Sequence, residues 1–160
     1  MTFQHSRQPS GILGRGVFYL VKLWMLVLLK LYFRVRVENR PKLQGGFVMV
    51  ANHASLLDPL VLGAVTSGWT GTHRVIFMMS SMMARSRALG WFYRWNRIIP
   101  VAPQGGNKAA LRAAREVLDG GGVLGIFPEG GVSRDGQLML GNPGAVSLGL
   151  AKNAPVLPVG

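Results

Sequence analysis

The sequence predicts an α/β domain, a largely parallel sheet covered by helices, with an N-terminal hydrophobic membrane-associating helix ahead of it. Three observations predict it. Short apolar runs recur along the chain, separated by helix-like stretches of about 10–15 residues, the rhythm of β-α-β units. Residues 17–33 are almost continuously apolar. The composition is apolar and basic at once: 49% of the 160 residues are hydrophobic, and 18 Lys+Arg face 6 Asp+Glu for a net charge of +12. That length suits one globular domain with its own core. Cysteine is absent, which excludes a disulfide framework, a Cys-ligated metal and a thiol nucleophile. The charge balance points to an anionic partner, and the high apolar fraction favours a lipid surface over nucleic acid.

The first element is Val17–Phe33, VFYLVKLWMLVLLKLYF, in which 15 of 17 positions are apolar. Lys22 and Lys30 interrupt it. At helical spacing Arg15, Lys22, Lys30 and Arg34 fall within an arc of about 120°, shared with Tyr19, Leu26 and Phe33. Two membrane arrangements follow: a helix lying in the interface with its lysines snorkelling, or an oblique span. A buried core helix would accommodate the two lysines badly, and no small-residue site for signal cleavage follows. Arg34, Arg36, Arg40 and Lys42 outnumber Glu38 just beyond, which places the rest of the chain on the cytoplasmic side of the membrane. The domains expected are a tail and helix over 1–33 and the α/β domain over 34–160.

Alternation in Arg34–Glu38 predicts a half-exposed strand. Strands follow at Phe47–Ala51, Arg74–Met79, Arg97–Ala102, Gly122–Phe127 and Pro155–Val159, with helices near Ser55–Thr66, Ser81–Trp95, Asn107–Leu118 and Pro143–Lys152. The clearest helix is rich in Ala, opens at Asn107 and stops at Gly120–Gly122. The last strand ends with the chain at Gly160 and has nothing to cover it, as in a C-terminally truncated protein.

Sites in such sheets form in the loops after strand carboxyl ends, and two loops carry chemistry. After FVMVA comes Asn52-His53-Ala54-Ser55-Leu56-Leu57-Asp58-Pro59. Five residues apart, His53 and Asp58 meet only if His53 precedes the helix that Asp58 begins. Asp58 would then fix the imidazole tautomer and leave the other nitrogen as a general base. With no serine or cysteine nucleophile at hand, the pair suggests activation of a substrate hydroxyl. The same residues also read as a capping box, Ser55-x-x-Asp58, with Asp at the positive end of the helix. After GVLGI comes Phe127-Pro128-Glu129-Gly130-Gly131-Val132-Ser133-Arg134. It reads either as a ligand loop with opposite charges at Glu129 and Arg134, or as a Pro/Gly surface turn.

Weaker candidates complete the pass. His5 and His73 read as incidental, and no cluster has metal-ligand spacing. Trp91–Arg97 mixes aromatics with arginines, suiting a membrane belt or core packing better than base stacking. Met78, Met79, Met82 and Met83 fill core space or form a flexible wall against an acyl chain.

Asn52-His53-x4-Asp58, Phe127-Pro128-Glu129-Gly130 and Ala154-Pro155-Val156-Leu157-Pro158-Val159, in that order, resemble the glycerolipid acyltransferase family, of which the 1-acylglycerol-3-phosphate (lysophosphatidate) acyltransferases are typical. The resemblance covers roughly residues 35–160. It implies transfer of a fatty acyl group from a thioester, acyl-CoA or acyl carrier protein, to the hydroxyl of a lysoglycerolipid, chiefly 1-acylglycerol-3-phosphate to give phosphatidate. His53 would be the base and Asp58 its orienting partner, while Glu129, Gly130 and Arg134 would bind the acceptor. No metal and no cofactor beyond the acyl donor are implied. The partners implied are membrane lipids and the donor, with no nucleic acid, at the cytoplasmic face of the membrane. The family's Thr-Arg-Ser after the Phe-Pro-Glu-Gly motif is here Gly131-Val132-Ser133. A second family arginine has no match in Ile98–Gln104, and a family lysine is Asn142. Either Arg134, Arg112 or Arg115 substitutes for those cations, or the acceptor is another lysolipid, such as a lyso-ornithine lipid. A non-catalytic membrane-binding remnant and a nucleic-acid-binding protein are the rival classes.

Overall fold

The computed structural model describes residues 12–39, 45–66, 75–84, 98–102 and 105–160. The chain divides into two compact units, residues 1–41 and 42–160. His5, His73, the Trp91–Arg97 segment and the expected helix beyond Ala84 lie outside the described residues.

In the first unit, helix α1 (Ile12–Leu31) contains the hydrophobic segment except Tyr32 and Phe33, which lie in the turn that follows. Leu20, Leu23, Trp24, Val27 and Leu31 are exposed, and at helical spacing they form one stripe about 100° wide. No described helix is long and apolar enough to cross a membrane. The oblique span therefore finds no support: Arg15, Lys22 and Lys30 interrupt the apolar run. The helix closes through a Schellman-type turn, with the Val35 N–H donating to the Leu29 carbonyl at 2.9 Å. Arg34 takes the left-handed conformation this turn needs, φ 52°, and Asn39 is also left-handed. That corrects the strand expected at Arg34–Glu38. The segment is irregular, because a left-handed residue cannot sit in an extended run and the end of α1 claims Arg34 first.

The second unit is a five-stranded, wholly parallel sheet: β1 (Phe47–Ala51), β2 (Val75–Ser80), β3 (Ile99–Val101), β4 (Val123–Ile126) and β5 (Val156–Val159). Its spatial order is β3-β2-β4-β1-β5, with Val48 level with Leu124 on one side and Val156 on the other. Both edge strands carry a proline, Pro100 and Pro158, as the missing N–H requires. The central strands β1 and β4 are apolar throughout because both faces are covered. Helix α2 (Asp58–Thr66) lies with Phe47, Met49, Phe77 and Phe127 on one face. Helices α4 (Lys108–Asp119) and α5 (Gly144–Lys152) pack with Val48, Leu124 and Ile99 on the other. Ala110, Ala113, Ala114, Val117 and Leu118 form the buried stripe of α4, small enough for close approach to the sheet. The helix ends where Gly121 turns left-handed at φ 73°.

Two expected boundaries move. The helix expected from Ser55 starts at Asp58, because Asp58 N–H donates to the Ser55 carbonyl and residues 55–57 form the entry turn. Of the helix expected over Ser81–Trp95, the described part is α3 (Ser81–Ala84).

The topology places the site. The connection from β1 runs toward β2 on one side, and that from β4 runs toward β5 on the other. β1 and β4 are neighbours, so their carboxyl ends flank a crevice, the switch point where open α/β sheets bind ligands.

Candidate active site

Both motif loops leave the sheet at this switch point. In the β1 loop, His53 is buried at 7% exposure, with Nδ1 3.0 Å from Asp58 Oδ2. The same oxygen accepts the backbone N–H groups of Ala54 and Ser55, each at 2.8 Å. An oxygen that already accepts two amides is an acceptor for the imidazole too. Nδ1 therefore carries the proton, and in the neutral ring Nε2 is the nitrogen left with a lone pair. Half of the expected capping box is present: Asp58 takes the Ser55 N–H, but Ser55 Oγ accepts from Leu57 N–H at 3.2 Å instead of capping Asp58. The cap and the His–Asp pair share one carboxylate oxygen, Asp58 Oδ2.

The His53 ring also stacks on Phe127, centroids 4.1 Å apart and planes 17° from parallel, and Phe127 stacks on Phe77 at 5.6 Å and 8°. Gly125 makes this column fit, since a Cβ there would lie 2.4 Å from the Phe77 ring. The imidazole is thus held at its edge by Asp58 and on its face by Phe127.

In the β4 loop, Phe127-Pro128-Glu129-Gly130 is a β-turn closed by Gly130 N–H to the Phe127 carbonyl at 3.1 Å, with Pro at its second position and Gly at its fourth. Ser133 N–H donates to the His53 carbonyl at 2.7 Å, tying the two loops together. The Ser133 hydroxyl meets Asp135 Oδ1 at 3.0 Å and the Gln137 carbonyl at 2.8 Å. The Gln137 N–H, then the Ser133 hydroxyl, hold the Asp135 carboxyl below the usual carboxylate range. Glu129 presents a buried Oε2 with no hydrogen-bond partner. An orphaned buried oxygen of this kind is costly until a donor reaches it.

Beside these loops lies a cavity of about 710 Å³. Its walls are mostly apolar, among them Met78, Val101, Leu111, Ile126 and Leu148, with His53 and Gly130 at the motif side. His53 is the one ionisable side chain of the lining among the described residues. Its polar points are Ser80, Asn107 and Asn142, and the two asparagines are already engaged. Asn107 holds the Ala102 backbone through both side-chain atoms, and Asn142 Oδ1 accepts the Gly144 N–H at 2.9 Å. The structure thus brings together His53, Asp58 and Gly130. Glu129 and Arg134 do not line the cavity, and Arg134 is exposed. Leu111, Leu148 and Asn107 were missed as lining residues. The sequence marks the first two only as apolar positions of helices, which does not distinguish a cavity wall from core.

Residues 33–160 match the family model described as Acyltransferase. Two curated chloroplastic 1-acyl-sn-glycerol-3-phosphate acyltransferases, from Brassica napus and Arabidopsis thaliana, are each 23% identical over 146 residues, 88% of this chain. The chain spans 41% and 39% of their lengths. The crystal structure of the 1-acyl-sn-glycerophosphate acyltransferase of Thermotoga maritima superposes with a TM-score of 0.58 at 24% identity, covering 90% of this chain and 58% of that one, and shares its fold.

Proposed function

Since the chain belongs to the acyltransferase family, we propose that it moves a fatty acyl group from acyl-CoA or acyl carrier protein to the hydroxyl of a lysoglycerolipid, with 1-acylglycerol-3-phosphate as acceptor and phosphatidate as product. The observation that carries this reading is a buried His53 held through Nδ1 by Asp58 at 3.0 Å, beside a mostly apolar cavity large enough for a lipid chain. His53 Nε2 takes the proton of the acceptor hydroxyl while the oxygen attacks the thioester carbonyl. Collapse of the tetrahedral intermediate expels the thiolate, which recovers the proton from the imidazolium. Asp58 fixes the tautomer and stabilises the imidazolium. Glu129, with its unpartnered oxygen, offers an acceptor to a donor on the incoming lipid, and the Gly130 turn shapes that side of the cavity. Arg134 reaches the headgroup from the loop. The chemistry uses the acyl donor as co-substrate and no metal. The exposed stripe of α1 suits a helix lying in the membrane interface, with the catalytic unit at the cytoplasmic face.

A neutral or zwitterionic lysolipid is the second reading, favoured by a cavity whose described lining holds no Lys or Arg. One assay covers both. Purified protein receives acyl-CoA or acyl carrier protein with a panel of lysolipids, and products are read by mass spectrometry. His53→Ala is expected to abolish product, a loss of about 100-fold or more. Turnover retained in that variant would remove His53 as the base.

A further inference from the structure

Among the described residues of the second unit, six of the ten exposed large apolar side chains lie at one end of the sheet, the others being Leu111, Val146, Leu150 and Val156. Leu56 and Leu57 follow β1, Met82 follows β2, and Leu138, Met139 and Leu140 follow β4, so all six sit at strand carboxyl ends. Leu138 is 80% exposed and Leu140 97%. Three consecutive large apolar residues standing in water are unfavourable, and patches of this kind mark a contact surface. The loop is not free to fold them away. It leaves the cavity rim at Val132 and returns at Asn142, both lining residues. Its stem is pinned by Ser133 N–H to His53, the Ser133 hydroxyl to Gln137, and Asn142 N–H to the Pro128 carbonyl at 2.9 Å. Among the described residues of this unit no other run of three consecutive large apolar side chains is exposed.

The charges at this end select the partner. Arg134 in the same loop and Lys108 at the start of α4 are exposed, as is the ionised Asp135 that Ser133 and Gln137 hold. The whole chain carries +12. An apolar tip with exposed cations at the same end of a strongly basic chain matches the boundary of a bilayer, where acyl chains lie beneath anionic headgroups.

We propose that the carboxyl-end rim of the sheet, with Leu138–Leu140 as its tip, inserts into an anionic phospholipid bilayer and opens the cavity directly onto lipid. Its purpose rests on the acyl-transfer reading above, since a lysolipid would then pass from the bilayer to His53 without crossing water. Its test does not. The chain has no cysteine, so Leu140→Cys in the full chain takes a single environment-sensitive fluorophore. Ala151→Cys, an exposed position near the far end of α5, is the control. Vesicles of phosphatidylcholine and phosphatidylglycerol should raise emission at 140 several-fold and make it quenchable by lipids brominated on their chains, leaving position 151 unchanged. Vesicle-bound protein with a wet label at 140 overturns the proposal, as does failure to bind. Burial at 140 that instead follows protein concentration, or needs an acyl carrier protein, also overturns it and assigns the patch to a second copy or to the carrier. Leu138→Ser/Leu140→Ser gives an independent reading. It should slow turnover of lysolipid held in vesicles at least several-fold and leave turnover of a short-chain, monomeric lysolipid unchanged. Equal rates on both forms would reject the rim as the point of entry. Absent acyl transfer with a buried label would sink the function alone.

Discussion

Asp58 Oδ2 gathers three donors, the His53 Nδ1–H and the amides of Ala54 and Ser55, so orienting the base and shaping the loop are one task. Asp58→Asn separates them. The amide keeps an acceptor oxygen for the loop but loses the negative charge that stabilises an imidazolium. Turnover should fall by about 100-fold or more, with thermal stability changed far less. A folded, fully active variant would reduce Asp58 to a cap. Asp135 makes a second prediction. Its carboxyl is held below the ordinary carboxylate range by the Gln137 N–H and then the Ser133 hydroxyl. A depressed value means that the loop gains stability above the ordinary range and loses it as pH falls through the depressed one. Hydrogen exchange at the Gln137 amide, corrected for its intrinsic pH dependence, should accelerate only below about pH 3.9. Asp135→Asn should remove that step. At this scale the sequence was informative where residue type dictates chemistry: His53 and Asp58 could meet in only one arrangement. It was uninformative about Phe127, since nothing in a Phe-Pro-Glu-Gly string says that its ring lies flat on an imidazole encoded far upstream.

Strand β4 shows the same limit for elements. Its run Val123–Ile126 reads as a strand by hydrophobicity, yet Gly125 in its middle is a weak strand former. The reason lies across the sheet, where the Phe77 ring occupies the space of a Cβ and supports Phe127. Gly125→Ala should destabilise by roughly 1–3 kcal/mol, read as a lower urea midpoint, and should slow acyl transfer by disturbing the column under His53. Unchanged stability would mean that Phe77 has another place to go. The five strands from Phe47 onward and the α4 helix were legible because apolar runs and an alternating small-residue stripe report burial directly. Arg34–Glu38 misled because the alternation of Arg and Val is local, whereas the turn that ends α1 is decided by unsatisfied carbonyls of the helix before it.

For the whole molecule, composition alone points to an anionic, apolar environment before any motif is considered. Salt divides the two contributions. Exposed charges are screened within about 3 Å at 1 M salt, so vesicle binding by the full chain should weaken with added NaCl yet leave a residue held by apolar insertion. Complete release, measured by cosedimentation, would leave no part for Leu138–Leu140 or the α1 stripe. The parallel sheet was legible from the β-α rhythm. Its order was not, because pairing is fixed by packing that a single sequence does not display. That order carries a consequence for biosynthesis. β1 lies between β4 and β5, so Val48 has both of its partners, Leu124 and Val156, far downstream. As the chain leaves the ribosome, the strand that supplies His53 is made early and waits, unpaired and apolar, until most of the unit has been translated. Non-local pairing of this kind folds slowly and exposes strand edges meanwhile. The nascent chain therefore has its greatest need of a chaperone over the interval between synthesis of residue 51 and residue 126.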